Sequence, residues 1–317
     1  MRPLLPLLLL AGCLPYELPD DSADDVDTSD PDGDPDTIPL GGSCTLDRRW
    51  GGFKVEANVD YSAIDGAISN GVVPVAVLRE ALVDGDCKLM KRENPFCDPT
   101  CGPTETCDFD GECLPFPENQ DLGTVTVSGL GTPVSMEPAI PGNKYFYTDL
   151  KNPAFKPGKL IRLETAGGAL APQTMYGVGV APLVPGSTTW LVTEGTPVLL
   201  SWDTPASAVR SEVYVSVNVD QHGLTPLTLQ CNFADNGAAE IPASVMDALL
   251  TGGVTGYPSG KIQRRTVDHV MLGEGCADFM VDYSLIAKVS VSGHTPCTSP
   301  ADCPDGQECN LALQTCE

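Results

Sequence analysis

Apolar and polar positions alternate through most of the chain. Gly52-Phe53-Lys54-Val55-Glu56 alternates as a half-buried strand does. The run from Glu212 to Val219 puts Val213, Val215, Val217 and Val219 on one side and Tyr214, Ser216 and Asn218 on the other. Shorter strands are predicted at residues 123–127, 144–147, 159–163, 197–202 and 228–233, with returns to the sheet at 261–272 and 287–292. Gly and Pro are abundant, at 32 and 29, and punctuate these runs with turns. Short strands of this spacing predict a β-sandwich over 121–293. One short helix is expected at 242–250, with Pro242 near its first turn and Gly252-Gly253 ending it. Residues 72–83 read equally as helix or strand, and Asp84-Gly85 is a hairpin turn into 88–90. Residues 44–94 therefore read as a smaller β-rich domain. The fold class is mainly β.

The start of the chain has a different pattern. Arg2 precedes an apolar run from Leu4 to Leu10, followed by the small residues Ala11 and Gly12 and then Cys13. The run is far shorter than the roughly 20 apolar residues that span a bilayer. Leu10-Ala11-Gly12-Cys13 resembles the lipobox of bacterial lipoproteins. That resemblance implies a signal peptide at 1–12 and lipid on Cys13, the first mature residue. Acylation by more than one chain would hold the protein stably on a membrane. Leu14, where an Asp would favour the inner membrane, points by analogy to the outer membrane.

Charge defines the next segment. The chain carries 43 acids against 18 bases, a net charge of −25. No base lies between Arg2 and Arg48, while Asp20, Asp21, Asp24, Asp25, Asp27, Asp30, Asp32, Asp34 and Asp36 crowd the same stretch. Like charges with little to bury predict an extended tether over 13–43. A calcium loop at Asp30–Asp34 would need further ligands where Thr28 and Pro39 stand. So acidic a chain disfavours nucleic acid, and its densest basic group, Lys261 with Arg264-Arg265, is small.

Thirteen cysteines less Cys13 leave an even set, which in an exported protein reads as disulfides. No His stands at ligand spacing beside a Cys pair, so no metal and no cofactor are expected. Cys44 with Cys87 would close the 44–94 domain. Cys231 and Cys276, the cysteines of the 121–293 domain, would pair with each other. Cys97, Cys101, Cys107 and Cys113 fall within 95–120, and Cys297, Cys303, Cys309 and Cys316 within 294–317. Modules this short hold no apolar core and depend on their bridges. Both resemble short EGF-like or dickkopf-like cysteine-rich modules. The resemblance implies first-to-third and second-to-fourth pairing: Cys97–Cys107 and Cys101–Cys113, Cys297–Cys309 and Cys303–Cys316. Calcium is not carried over, because Asn94-Pro95-Phe96 lacks the acidic pattern.

Candidate chemistry is sparse. His222, His269 and His294 are the histidines, and Ser259 lies in Gly256-Tyr257-Pro258-Ser259-Gly260, a turn rather than a nucleophile elbow. No catalytic residue is nominated, and an enzyme is not expected. In strand 144–147, Tyr145 and Tyr147 share a face that could receive a glycan or peptide, leaving Phe146 for the core. As a whole the chain resembles an uncharacterised family of Gram-negative bacterial lipoproteins. The expected function is a membrane-anchored envelope protein displaying a surface for a protein or polysaccharide. The alternative is a structural part of a periplasmic or outer-membrane assembly.

Overall fold

The computed structural model describes residues 34, 37–205, 210–220 and 227–317. The leader, Cys13, the tether up to residue 36 apart from Asp34, and His222 lie outside the described residues. In chain order the strands are β1 (Arg49–Ala57), β2 (Ser62–Ile68), β3 (Leu78–Asp84), β4 (Cys87–Arg92), β5 (Glu105–Cys107), β6 (Cys113–Pro115), β7 (Val125–Ser128), β8 (Val134–Met136), β9 (Tyr145–Tyr147) and β10 (Leu160–Thr165). They continue as β11 (Thr174–Val178), β12 (Thr189–Val192), β13 (Val198–Ser201), β14 (Glu212–Asn218), β15 (Leu227–Ala234), β16 (Ala238–Ile241), β17 (Ser259–Leu272), β18 (Gly275–Val291), β19 (Cys309–Asn310) and β20 (Thr315–Cys316). The described α-helix, α1 (Ala243–Thr251), begins after Pro242 and ends at Gly252. No described helix is long and apolar enough to cross a membrane.

The hairpin β17–β18 is the axis of the molecule. Its turn passes through Gly273, whose φ of +70° suits glycine. The strands pair from Ser259↔Lys288 to Leu272↔Gly275. Around this hairpin a ten-stranded sheet runs β3-β4-β15-β14-β17-β18-β1-β2-β9, with β12 also on β18. β1 and β12 lie parallel to β18.

This order corrects the expected boundary between 44–94 and 121–293. β1 and β2 sit on one side of the hairpin, while β3 and β4 reach the other side through β15. Residues 44–94 thus contribute to both halves of one sheet and do not form a separate small domain. The reason is burial: Phe53, Val55, Ile64 and Ile68 pack with Phe279, Val281 and Leu163, not among themselves alone. A segment of this size has too little apolar surface of its own to offset the entropy of folding apart.

The odd-numbered residues of β18 face inward at both ends of the strand. Ala277, Phe279 and Val281 enter one core; Ala287, Val289 and Val291 enter a second. The first core lies between the large sheet and the four-stranded sheet β11-β10-β7-β8, giving a two-layer arrangement. Here Thr266 and Asp268 of β17 serve the edge strand β11. The Val178 N–H donates to Thr266 Oγ1 at 3.1 Å and the Tyr176 N–H to Asp268 Oδ2 at 3.0 Å. The second core is covered by α1 and the pair β13–β16, and β12 extends the large sheet over it beside β18.

Arg264, fully buried, marks the junction. Its Nε donates to Asp235 Oδ2 at 2.7 Å and its Nη1 to the Pro182 carbonyl at 2.8 Å, and Nη2 reaches the Asp203 carbonyl. A buried guanidinium requires this density of partners.

Two disulfide expectations are corrected. Cys44 bonds Cys276, not Cys87, and Cys87 bonds Cys231. Cys87 and Cys231 face each other in register on neighbouring strands β4 and β15, with Cα atoms 4.1 Å apart. Cys276 opens β18, where its amide donates to the Arg48 carbonyl at 2.9 Å and brings it beside the start of β1. Pairing within an assumed domain fails because the sheet interleaves distant segments. In the short modules Cys97 bonds Cys107 and Cys101 bonds Cys113; Cys297 bonds Cys309 and Cys303 bonds Cys316.

Candidate functional site

The outer face of the large sheet, away from both cores, carries the polar positions of the same strands. Tyr214 on β14, Gln230 and Asn232 on β15, Lys88 and Met90 on β4, Arg265 on β17 and Met280 on β18 form the floor of a cleft of about 840 Å³. Residues 43–49 and the segment from Val72 to Glu80 rise from this floor, joined by Phe109 of the first cysteine-rich module.

The 43–49 wall is fastened firmly. Cys44 is bonded to Cys276, and its amide donates to Asp278 Oδ1 at 2.7 Å. Arg49 pairs with the other oxygen of Asp278 at 2.8 Å and donates to the Cys44 carbonyl at 2.8 Å. Burial pushes the Asp278 carboxyl up from its ordinary value, against the Cys44 amide and the Arg49 charge. At the Phe109 wall, the Arg79 guanidinium lies 4.2 Å from the ring centroid.

The cleft floor is organised by Arg265. Its guanidinium lies 4.1 Å from the Tyr214 ring centroid. Its Nε donates to Glu212 Oε1 at 2.8 Å and its Nη2 to Asn232 Oδ1 at 2.7 Å. Burial pushes the Tyr214 phenol up, outweighing Arg265, so Tyr214 stays a neutral hydroxyl at physiological pH. Lys88 is bonded to Glu80. The floor therefore presents amides, a hydroxyl and paired charges.

Beside the cleft, on the same outer face, lies a second polar cluster. Ser284 donates to Glu56 Oε1 at 2.6 Å, Lys54 donates to Glu56, and Gln263 donates to Asp282 Oδ2. Burial, with the Glu56 charge added, raises Asp282 to about 6. Burial also pushes the Glu56 carboxyl up, but the bonds from Lys54 and Ser284 prevail and leave it lowered. Two carboxyls driven apart in this way resemble an acid–base pair. They do not line the cleft, so they have no substrate surface there.

The expected tyrosine platform is corrected. Tyr145 is 1% exposed and packs in the core, where its hydroxyl accepts the Leu122 N–H at 2.9 Å and donates to the Gly123 carbonyl at 3.0 Å. Tyr147 packs partly against that core, while Phe146 is 63% exposed. The strand alternates as expected but with its inside inverted, because Tyr145 can satisfy its hydroxyl on buried backbone.

Ser259 opens β17, about 33 Å along the strand from His269 at strand rise. His269 Nδ1 lies 3.0 Å from the Gly42 carbonyl and His294 Nε2 lies 2.9 Å from the Gly256 carbonyl. His269 is therefore too far along the strand to activate Ser259, and the His294 Nε2 is engaged with a backbone carbonyl. The sulfurs of Cys97, Cys101 and Cys113 cluster, as do those of Cys297, Cys303 and Cys316. All six are in disulfides and offer no thiolate to a metal.

The pattern of β14 already puts Tyr214 opposite the valines, but nothing local joins it to Gln230, Lys88 or Arg265. No family model and no curated protein matches the chain. Among solved structures it is similar to the FN1–FN3 domains of chicken CNTN1, at 8% identity over 70% of each chain with a TM-score of 0.16. A superposition this loose transfers neither fold nor function.

Proposed function

We propose that this chain is a lipid-anchored envelope protein that acts by binding and not by catalysis. Its cleft would take a protein or polysaccharide ligand. The observation that carries the reading is the cleft itself: polar side chains from several strands, set on a sheet pinned by Cys44–Cys276 and Cys87–Cys231. Sites on rigid elements hold their geometry without an ordering cost at binding. The anchor rests on Leu10-Ala11-Gly12-Cys13, and Leu14 favours the outer membrane.

Labelling cells with palmitate tests the anchor. The natural chain is expected to take the label and enter the detergent phase of a Triton X-114 extract; Cys13→Ala is expected to do neither. Detergent partitioning by Cys13→Ala would remove the anchor from the reading. Protease shaving of intact and lysed cells then assigns the membrane face. A hydrolytic activity abolished by replacing His222 or Ser259 would overturn the non-enzymatic role.

A further inference from the structure

We infer that the cleft takes a linear, uncharged polysaccharide chain. This rests on the reading of the cleft as a binding site.

Its length comes first. The lining draws on β3, β4, β15, β14, β17 and β18, six strands that are consecutive in the sheet. At the ordinary spacing between strands, the five floor strands from β4 to β18 cross about 19 Å. A trough of that length suits a chain of repeating units better than one small molecule.

The available bonds come second. The floor strands from β4 to β18 are each paired on both sides, so their backbone has no free ladder to offer. What remains is side-chain chemistry: the Gln230 and Asn232 amides and the Tyr214 hydroxyl both donate and accept. Sugar hydroxyls also do both, at every unit. An extended peptide relies on backbone pairing, which the floor strands do not supply and the edge strand β3 offers only at one end of the cleft.

Charge comes third. Each cation of the cleft already has an acidic partner: Arg265 with Glu212, Arg49 with Asp278, Lys88 with Glu80 and Arg79 with Glu93. A carboxylate, sulfate or phosphate would have to compete with these acidic partners for the cation, and would meet their repulsion. The chain's net charge of −25 also repels polyanions on approach. A neutral chain meets neither obstacle. Along the rim, Leu46, Val72 and Val77 give apolar surface for the C–H faces of sugar rings.

Full-length protein in mild detergent would be titrated by calorimetry with three sets of probes. These are neutral hexasaccharides (maltohexaose, cellohexaose, mannohexaose, xylohexaose) with their disaccharides, oligogalacturonate, and a library of extended peptides. Gln230→Ala removes one floor amide, and its thermal midpoint reports whether the fold is kept. The expected result is binding of at least one neutral hexasaccharide, tighter than its disaccharide, and about tenfold weaker in Gln230→Ala at an unchanged midpoint. Binding of only oligogalacturonate or only peptides, weakened in Gln230→Ala, would overturn the ligand class and keep the binding cleft. No binding by any probe, or binding that Gln230→Ala leaves unchanged, would overturn the cleft reading with it.

Discussion

At the residue scale, Asp282 is the informative group. It is fully buried, with one oxygen bonded by Gln263 and the other, Oδ1, buried without a hydrogen-bond partner. Its folded pKa of about 6 lies above the unfolded value near 3.8. A carboxyl raised on folding binds its proton more tightly in the native state. Its ionisation therefore destabilises the fold fully above about pH 6, and the penalty fades as pH falls towards 3.8. A pKa raised by about two corresponds to about 3 kcal/mol. Asp282→Asn keeps an acceptor for Gln263 and removes the charge. It is expected to raise urea stability at pH 7–8 by up to about 3 kcal/mol, with the gain vanishing near pH 4. Glu56 runs the other way: its lowered pKa stabilises the fold above its unfolded value, near 4.5, and that stability is lost on acidification. Glu56 keeps its bonds from Lys54 and Ser284 in both proteins, so the difference between them reports Asp282 together with its repulsion by Glu56. An equal gain at pH 4 and pH 8 would mean that packing, not ionisation, is the cause.

At the scale of elements, the disulfides do two different things. Those of the short modules join cysteines 10 to 13 positions apart and replace a missing core. Cys44–Cys276 instead spans 232 positions and joins the segment before β1 to the head of β18. Chain-entropy reasoning gives a loop of that size about 5 kcal/mol. The double replacement Cys44→Ser with Cys276→Ser is expected to lower stability by several kcal/mol. It should also speed amide exchange at 41–49 far more than in the middle of β17 and β18, since the wall is then held by hydrogen bonds and the Arg49 ion pair alone, among them Gly41 N–H to Asp268 Oδ1 at 2.8 Å, Cys44 N–H to Asp278 Oδ1 at 2.7 Å and Gly42 N–H to the Val267 carbonyl at 3.1 Å. Uniform acceleration across the sheet would show that the bridge supports the whole fold and not the cleft wall.

At the scale of the whole molecule, the interleaved sheet makes one cooperative unit of 44–94 and 121–293. β3 and β4 join through β15, and β1 joins directly to β18. A fragment beginning at residue 121 would expose the β18 edge that β1 covers and the β15 edge that β4 covers. Expressed alone, that fragment is expected to be aggregated or molten, with no sharp near-ultraviolet dichroism, whereas the full chain should melt its large sheet in one transition. A soluble fragment with a sharp independent melt would restore the boundary expected from the sequence.

Local features were legible in the order of residues. Alternation at period two is a short-range property, so the valines of β14, the mainly β class and the limits of α1 could be read without partners. The clustering of eight cysteines at two places was equally plain. Long-range packing settled which face is inside, which strands are neighbours and which cysteines meet. Tyr145 shows the first: both faces of an alternating YFY strand are apolar enough, and the backbone groups of Leu122 and Gly123 chose between them. Cys276 shows the last, for its partner lies far off in sequence and close only once β1 lies beside β18. The cleft was invisible for the same reason. Tyr214, Gln230, Lys88 and Arg265 become one surface only when strand order is set, and strand order is a long-range choice made by burying both cores on one face of the sheet.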